Sequence, residues 1–304
     1  MSVLSFVILS ITITGCQRSM AALSPEIIAE LKLEEAINSA TVGEINGCPY
    51  LLLMTVDSTS GIETAATLRV LDVSDTSNPV EVVSIKAPIQ ILPPSGDVIL
   101  AGDYIYSYLW NGPESILWIL DVSNIPSITE VSCKEIQFPL LWPDISGDYM
   151  IARTAFPPYF AVYDISNPDN PRKITDFEVN RGDRSPQSGT QTVATAFSDS
   201  RFFVLEESGL TPFDMLSPSE PQQCSFYKNK EWGLSPLETT EGTGETITKG
   251  VFSGNSFLDI GISGDHAFIS AGDSGLVVLD VSDIEDIHEV ARLELPYYTK
   301  KSRF

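Results

Sequence analysis

Three aspartates, Asp97, Asp144 and Asp259, stand at or near the start of short apolar runs. Grouped carboxylates offer two chemistries. Around one axis they would supply the oxygen shell that Ca²⁺ takes. As a protonated and ionised pair beside a sugar linkage they would do glycoside hydrolysis. A third use is structural, in which each carboxylate accepts neighbouring backbone N–H groups and fixes the chain around it. Asp97 and Asp259 occupy the same place in a repeating unit, which suits the third use. A second set of residues is aromatic: Trp110, Trp142 and Trp232, with Tyr108 and Tyr159. Flat rings with an N–H or O–H handle suit sugar faces and peptide side chains, and they also fill gaps between packed sheets.

Nucleophile and redox signatures are missing from the sequence. His266 and His288 lie in strands of one repeat, and no Cys or Ser in a nucleophile motif accompanies them. No H-x-x-x-H or C-x-x-C spacing occurs. The Gly-rich stretch Glu241–Glu245 lacks the strand, the lysine and the helix of a phosphate loop. Arg181-Gly182-Asp183 matches an integrin-binding tripeptide, a match too short to weigh. The expectation is therefore a protein that is not an enzyme and has no cofactor, with Ca²⁺ at Asp97, Asp144 and Asp259 as the one metal candidate.

The elements that must position these residues recur along the chain. Asp259–Ser282 shows the unit most clearly, as an apolar run, a Gly264-Asp265 turn, a second run, a glycine-bounded break and the run LVVLDV. A fourth run, His288–Leu293, follows. Four short strands in sequence make an antiparallel meander. The third strand and its turn reappear as LRVLDVSDTSNP from Leu68, ILWILDVSNIP from Ile116, FAVYDISNPDNP from Phe160 and LTPFDMLSPSEP from Leu210. Their landmark aspartates are Asp72, Asp121, Asp164, Asp214 and Asp280, and their side chains, with the following serines, are expected to close local turns. A turn residue precedes each one: Gly47, Gly102, Gly147, Asp199 and Gly264. Units of this length and strand number point to propeller blades. Runs such as Leu276–Val281 are nearly all apolar, which predicts sheets covered on both faces.

The D-V-S-[DN]-P-x-N-P segment, with V-x-V-S-G-D and G-L-x-V-L before it, resembles the LVIVP-repeat family of bacterial and archaeal surface proteins. Asp164–Pro171 and Asp259–Ser282 carry the resemblance best, and it spans roughly residues 46–296. It implies a β-propeller and no general enzymatic activity. The fold expected is all-β, a propeller of five four-stranded blades spanning residues 40–296, with a short basic tail at 297–304.

Val3–Thr14 is apolar, too short to span a bilayer as a helix, and ends in Ile13-Thr14-Gly15-Cys16. It resembles a lipoprotein signal over residues 1–15, in which Cys16 takes the lipid. Ser24-Pro25-Glu26 then reads as the capped start of a helix to about Asn38, within a linker over residues 16–39. The remaining thiols, Cys48, Cys133 and Cys224, are an odd number and read as small buried residues. The net charge of −23 disfavours nucleic acid and anionic lipid surfaces.

In such a meander the first and third turns share one end of the sheet. The middle turn and the sheet-to-sheet connection share the other. The first class is short and stereotyped, whereas the second is long and irregular, in Asp57–Ala66, Leu109–Ser115, Ala155–Pro158, Asn180–Thr192 and Lys228–Asn255. Variable loops on a rigid frame are where binding concentrates. The sequence thus predicts a lipid-anchored, extracytoplasmic module of the bacterial cell envelope. It would bind an envelope protein through the long-loop face, with a glycan binder or a carboxylate-dependent glycosidase as alternatives.

Overall fold

The structure, a computed structural model, describes residues 2–6, 29–33, 35–57, 64–92, 97–112, 115–136, 140–154, 159–180, 192–206, 209–228, 258–271 and 275–293. Among the described residues, all regular elements are strands. β1 (Ser2–Phe6) pairs with β2 (Ala29–Leu33). Each of the sheets that follow is an antiparallel meander whose strands pair in chain order. The first holds β3 (Ala36–Ile45), β4 (Cys48–Val56), β5 (Thr64–Asp72) and β6 (Val80–Ile91). The second holds β7 (Asp97–Ala101), β8 (Tyr104–Trp110), β9 (Ser115–Asp121) and β10 (Thr129–Glu135). The third holds β11 (Leu140–Ser146), β12 (Tyr149–Thr154), β13 (Tyr159–Asp164) and β14 (Arg172–Glu178). The fourth holds β15 (Thr192–Ser198), β16 (Arg201–Glu206), β17 (Gly209–Asp214) and β18 (Gln222–Gln223), with β19 (Tyr227–Lys228) also paired to β17. The fifth holds β20 (Leu258–Ser263), β21 (His266–Ala271), β22 (Leu276–Asp280) and β23 (His288–Leu293).

The helix expected over Ser24–Asn38 is a correction. Residues 29–33 and 36–38 are strand, and residues 24–28 lie outside the described residues. Ile37 and Thr41 of β3 are β-branched, and β3 pairs along its whole length with the apolar β4, from Ala36↔Val56 to Ile45↔Cys48. That pairing overrides a capping signal whose apolar face was only partial.

Two compact units divide the chain, residues 1–143 with 167–170 and residues 144–166 with 171–304. In the first unit, Leu52, Met54 and Leu68 of the first sheet share a core with Ile105, Leu109 and Trp118 of the second. In the other unit, the third and fourth sheets meet through Ile151, Phe160, Phe202 and Phe213. The Phe160 and Phe202 rings pack edge to face, 5.3 Å apart. The fourth and fifth sheets meet through Phe203, Leu205, Ile269 and Leu279.

Burial along the second strands follows the expectation of doubly covered sheets in β4, β8 and β16. It fails in the fifth sheet, where exposed and buried residues alternate along β21. Leu276 and Val278 of β22 are likewise only half-buried. The cysteine expectation is also corrected. Cys48 and Cys133 are exposed, Cys224 is half-buried, and all three are free thiols. Cys48 opens β4 just past a turn, and Cys133 lies in an outermost strand with one face in water.

Candidate functional site

The two ends of each sheet are built differently. At the short-turn end the chain reverses through glycine. Gly102, Gly147 and Gly264 have φ of 56°, 55° and 56°, in the left-handed region that disfavours residues with a Cβ. Asp199 takes the same place in the fourth sheet with φ of 54°. In the first sheet Asn46 and Gly47 both have positive φ, the pattern of a tight hairpin turn.

The landmark aspartates close the third turn at that same end. Asp72 Oδ1 accepts the Ser74 N–H at 2.8 Å, and Asp121 Oδ1 accepts that of Ser123 at 2.8 Å. Asp214 Oδ1 accepts the Leu216 N–H at 2.8 Å. Asp164 and Asp280 each accept both the N–H and the hydroxyl of the serine two residues on. Ser166 and Arg172 hold Asp164 down to about 2, and Ser282 lowers Asp280.

A backbone bond then ties the two turns together. The residue after each landmark donates to the first turn, as Val122 to Asp103, Ile165 to Asp148, Met215 to Ser200 and Val281 to Asp265, at 2.7–2.8 Å. Val73 does the same to Pro49 at 3.1 Å. Neighbouring sheets of one unit are joined at these ends too. Asn46 donates to the Ser123 carbonyl at 2.8 Å, and Ser146 to that of Asp199 at 3.3 Å. The short-turn ends are thus committed to holding the frame.

Most of the connections at the opposite ends lie outside the described residues. The middle connections run over 57–63, 111–114, 155–158, 207–208 and 272–275, and the sheet-to-sheet ones over 92–96, 136–139, 179–191 and 229–257. Leu109 and Trp110, expected in a loop, are the last residues of β8, with Trp110 paired to Ser115. The Trp110 indole N–H donates to the Gly112 carbonyl at 3.1 Å and so closes its own turn. Tyr108 lies in the core at 1% exposure, so its ring is removed from the candidate binding surface. Its place in β8 puts it opposite Asp97 and Leu117. The backbone places Trp142 in β11 and Tyr159 at the start of β13. Trp232 and Cys16 lie outside the described residues.

The three candidate carboxylates all sit on innermost strands. Burial raises Asp97 above the usual carboxylate range, and the following N–H, of Val98, donates to the Ser39 hydroxyl of the first sheet at 3.2 Å. Burial pushes Asp144 up to about 6, although it accepts the N–H groups of Ile145 and of Phe197 in the fourth sheet. Asp259 is exposed and accepts the Ile260 N–H at 2.9 Å, while its own N–H donates to Ser270 Oγ. Among the described residues, no three His, Cys, Asp or Glu side chains gather where they could hold a metal.

Some structural partners escaped the sequence reading. Arg201 reaches from the fourth sheet to the fifth, donating to the carbonyls of Val281 at 2.8 Å and Gly264 at 3.3 Å. The available signal was an arginine two residues past Asp199, where the fifth sheet has His266. Arg69 lies between Glu35 and Glu81, at 2.8 Å and 2.7 Å, with Thr55 bonded to Glu35 as well. Glu35 lies within the stretch expected as helix, so nothing in the sequence paired it with β5.

The LVIVD repeat matches residues 64–87, 94–133 and 256–292. These segments bear out the repeat resemblance read from the sequence. The third and fourth sheets fall outside the matched segments, Asp164–Pro171 included, yet keep the same turns and aspartate bonds. No curated protein matches the chain. Among solved structures, a functionally unknown protein from Desulfotomaculum acetoxidans is 11% identical with a TM-score of 0.60, over 88% of this chain and 72% of that one. A protein from Lactobacillus plantarum is 13% identical with a TM-score of 0.55, over 85% and 71%. The periplasmic gluconolactonase PpgL of Pseudomonas aeruginosa is 10% identical with a TM-score of 0.54, over 88% and 73%. These likenesses, with the five antiparallel meanders among the described residues, make the fold a β-propeller.

Proposed function

Because the chain carries LVIVD repeats on a β-propeller fold, we propose that it is a non-catalytic binding and scaffold module of the bacterial cell envelope. Cys16 carries its lipid anchor, and a protein partner sits on the long-loop ends of its sheets. The observation behind this reading is the contrast between the two ends. One end repeats the same turn, aspartate bond and turn-to-turn bond from sheet to sheet. The other varies from 207–208 to 229–257 in the length of its connections. A frame with stereotyped turns at one end and connections of varied length at the other suits recognition.

The bonding of the carboxylates argues against catalysis as their role. Asp144 accepts the backbone N–H groups of Ile145 and Phe197, and Asp259 Oδ1 accepts that of Ile260. A glycan reading is weaker, since Tyr108 is buried and the Trp110 N–H is engaged. A fold alone does not choose between such functions.

Crosslinking capture from native membranes tests the reading. Wild type should recover a protein that a folded variant lacking 229–255 does not, and soluble polysaccharide should leave the catch unchanged. Loss of the catch under polysaccharide competition would overturn the protein-partner reading in favour of a glycan. Palmitate labelling that survives Cys16→Ala would overturn the anchor.

A further inference from the structure

Two Asn-Gly pairs occur in the sequence, Asn46-Gly47 and Asn111-Gly112. Asparagine before glycine is prone to spontaneous deamidation. No side chain at the next residue obstructs attack by its backbone nitrogen, and glycine lets the chain turn to deliver it. The structure separates the two pairs. Asn46 and Gly47 are both exposed. They make up the whole turn between β3 and β4, whose ladder closes at Ile45↔Cys48 and leaves the Gly47 N–H outside it. Nothing lies within 4 Å of the place a Gly47 Cβ would take. Asn111 is half-buried, and its turn is braced. The Gly112 carbonyl takes the Trp110 indole N–H at 3.1 Å. Leu92 donates its N–H to the Trp110 carbonyl at 2.7 Å, and its Cδ1 stands 3.5 Å from the place of a Gly112 Cβ.

We propose that Asn46 is a deamidation site, and that its conversion releases a tie between the first and second sheets. The Gly47 backbone nitrogen gives its proton to solvent and bonds to Asn46 Cγ. The Cγ–Nδ2 bond breaks, and the nitrogen takes a proton from solvent and leaves as ammonia. A succinimide ring remains. Water then opens the ring at one of its two carbonyls, leaving aspartate or isoaspartate. Nothing is oxidised or reduced, and water is the sole co-reactant. The amide lost is the one that donates to the Ser123 carbonyl at 2.8 Å, within one compact unit. A carboxylate has no proton to donate there. Isoaspartate also adds a methylene to the backbone of a two-residue turn.

The device belongs to this joint. The other sheets turn through Gly102-Asp103, Gly147-Asp148, Asp199-Ser200 and Gly264-Asp265, none of which carries an amide. The Ser123 bond sets the pace, because it holds the Asn46 amide in place and ring closure needs that side chain to rotate. Each opening of the joint gives the ring a chance to close, and the product does not restore the bond. A passing fluctuation becomes a lasting weakening.

Peptide mapping by mass spectrometry tests this on the full chain, kept folded in mildly alkaline buffer at body temperature. The peptide containing Asn46 should gain the mass difference of an amide-to-acid exchange, with isoaspartate among the products. It should do so about tenfold faster than the peptide containing Asn111. Asn46→Gln keeps an amide donor but closes its larger ring far more slowly, and should abolish the change at that position. Asn46→Asp copies one product. It should speed hydrogen exchange several-fold at the Cys48 and Ser123 turns and leave the third, fourth and fifth sheets at wild-type rates. An Asn46 peptide that stays unchanged in the folded chain while the urea-unfolded chain deamidates would overturn the proposal. So would an Asn111 peptide that keeps pace, or exchange in Asn46→Asp that matches wild type.

Discussion

The Asp144 carboxylate of the third sheet accepts the backbone N–H of Phe197 in the fourth. The same group accepts the Ile145 N–H at 3.0 Å. An acid expected among candidates for metal or sugar chemistry is thus a bracket between two sheets. Its burial makes the charge costly even so, with a pKa near 6.

Asp144→Asn keeps the Oδ1 acceptor for the Ile145 N–H and removes the charge. Because the folded pKa is raised, the cost of ionisation is present in full above pH 6 and disappears as the pH falls toward 3.8. The variant should therefore be more stable than wild type at pH 7.5, by at most about 3 kcal/mol. The gain should shrink at pH 4.5. Urea unfolding at the two pH values checks both sign and trend, and a loss of stability at pH 7.5 would contradict the cost assigned to the buried charge.

The landmark aspartates respond to pH in the opposite sense. Ser166 and Arg172 hold Asp164 down to about 2, so its contribution is present above pH 3.8 and is lost as the pH falls through about 2. Asp164→Ala should lower the melting temperature at pH 6. Between pH 4 and 2 it should lose less further stability than wild type does. Parallel acid melts of the two proteins would show the difference narrowing.

Turn conformation gives a paired comparison. Gly102 has φ of 56°, and Asp199 has 54° at the equivalent turn. Gly102→Ala should cost about 1 kcal/mol and Asp199→Gly should be neutral or stabilising by up to about 1 kcal/mol. Open space around the Gly102 site leaves backbone conformation as the cause. Equal destabilisation by both changes in chemical denaturation would show that the turns are not equivalent.

Arg201 should hold the fifth sheet in place. Arg201→Met keeps the stem and leaves the Val281 and Gly264 carbonyls without their guanidinium partner. A cost of about 1–3 kcal/mol is expected, with hydrogen exchange rising first in β20–β22. Uniform exchange throughout the chain would place the effect elsewhere.

Much of the frame was legible because its signals are local. Gly264-Asp265 and Asp280-Val281-Ser282 announce their turns through backbone φ and side-chain reach, both readable within a few residues. Ile37 was misread because β3 is stabilised by β4, which the local capping signal at Ser24 does not report. Cys48 and Cys133 were misread because small size suggests burial, whereas exposure depends on which sheet edge holds the residue. At the candidate site, the repeat itself placed Asp97 and Asp259 at the same position. Only the fold showed that Phe197 lies across from Asp144. The exposure of Phe268 was hidden by the apolar run of β22, which reads like a doubly covered strand.

The central claim is that recognition lives at the long-loop ends and structure at the short-turn ends. The most direct measurement compares the two in one capture experiment from native membranes. One variant lacks 229–255, and the other carries Leu216→Ser with Asp75→Ser on the short-turn ends. The account predicts that the partner is lost with the first and retained at the wild-type level with the second. Retention by the deletion with loss by the short-turn variant would contradict it.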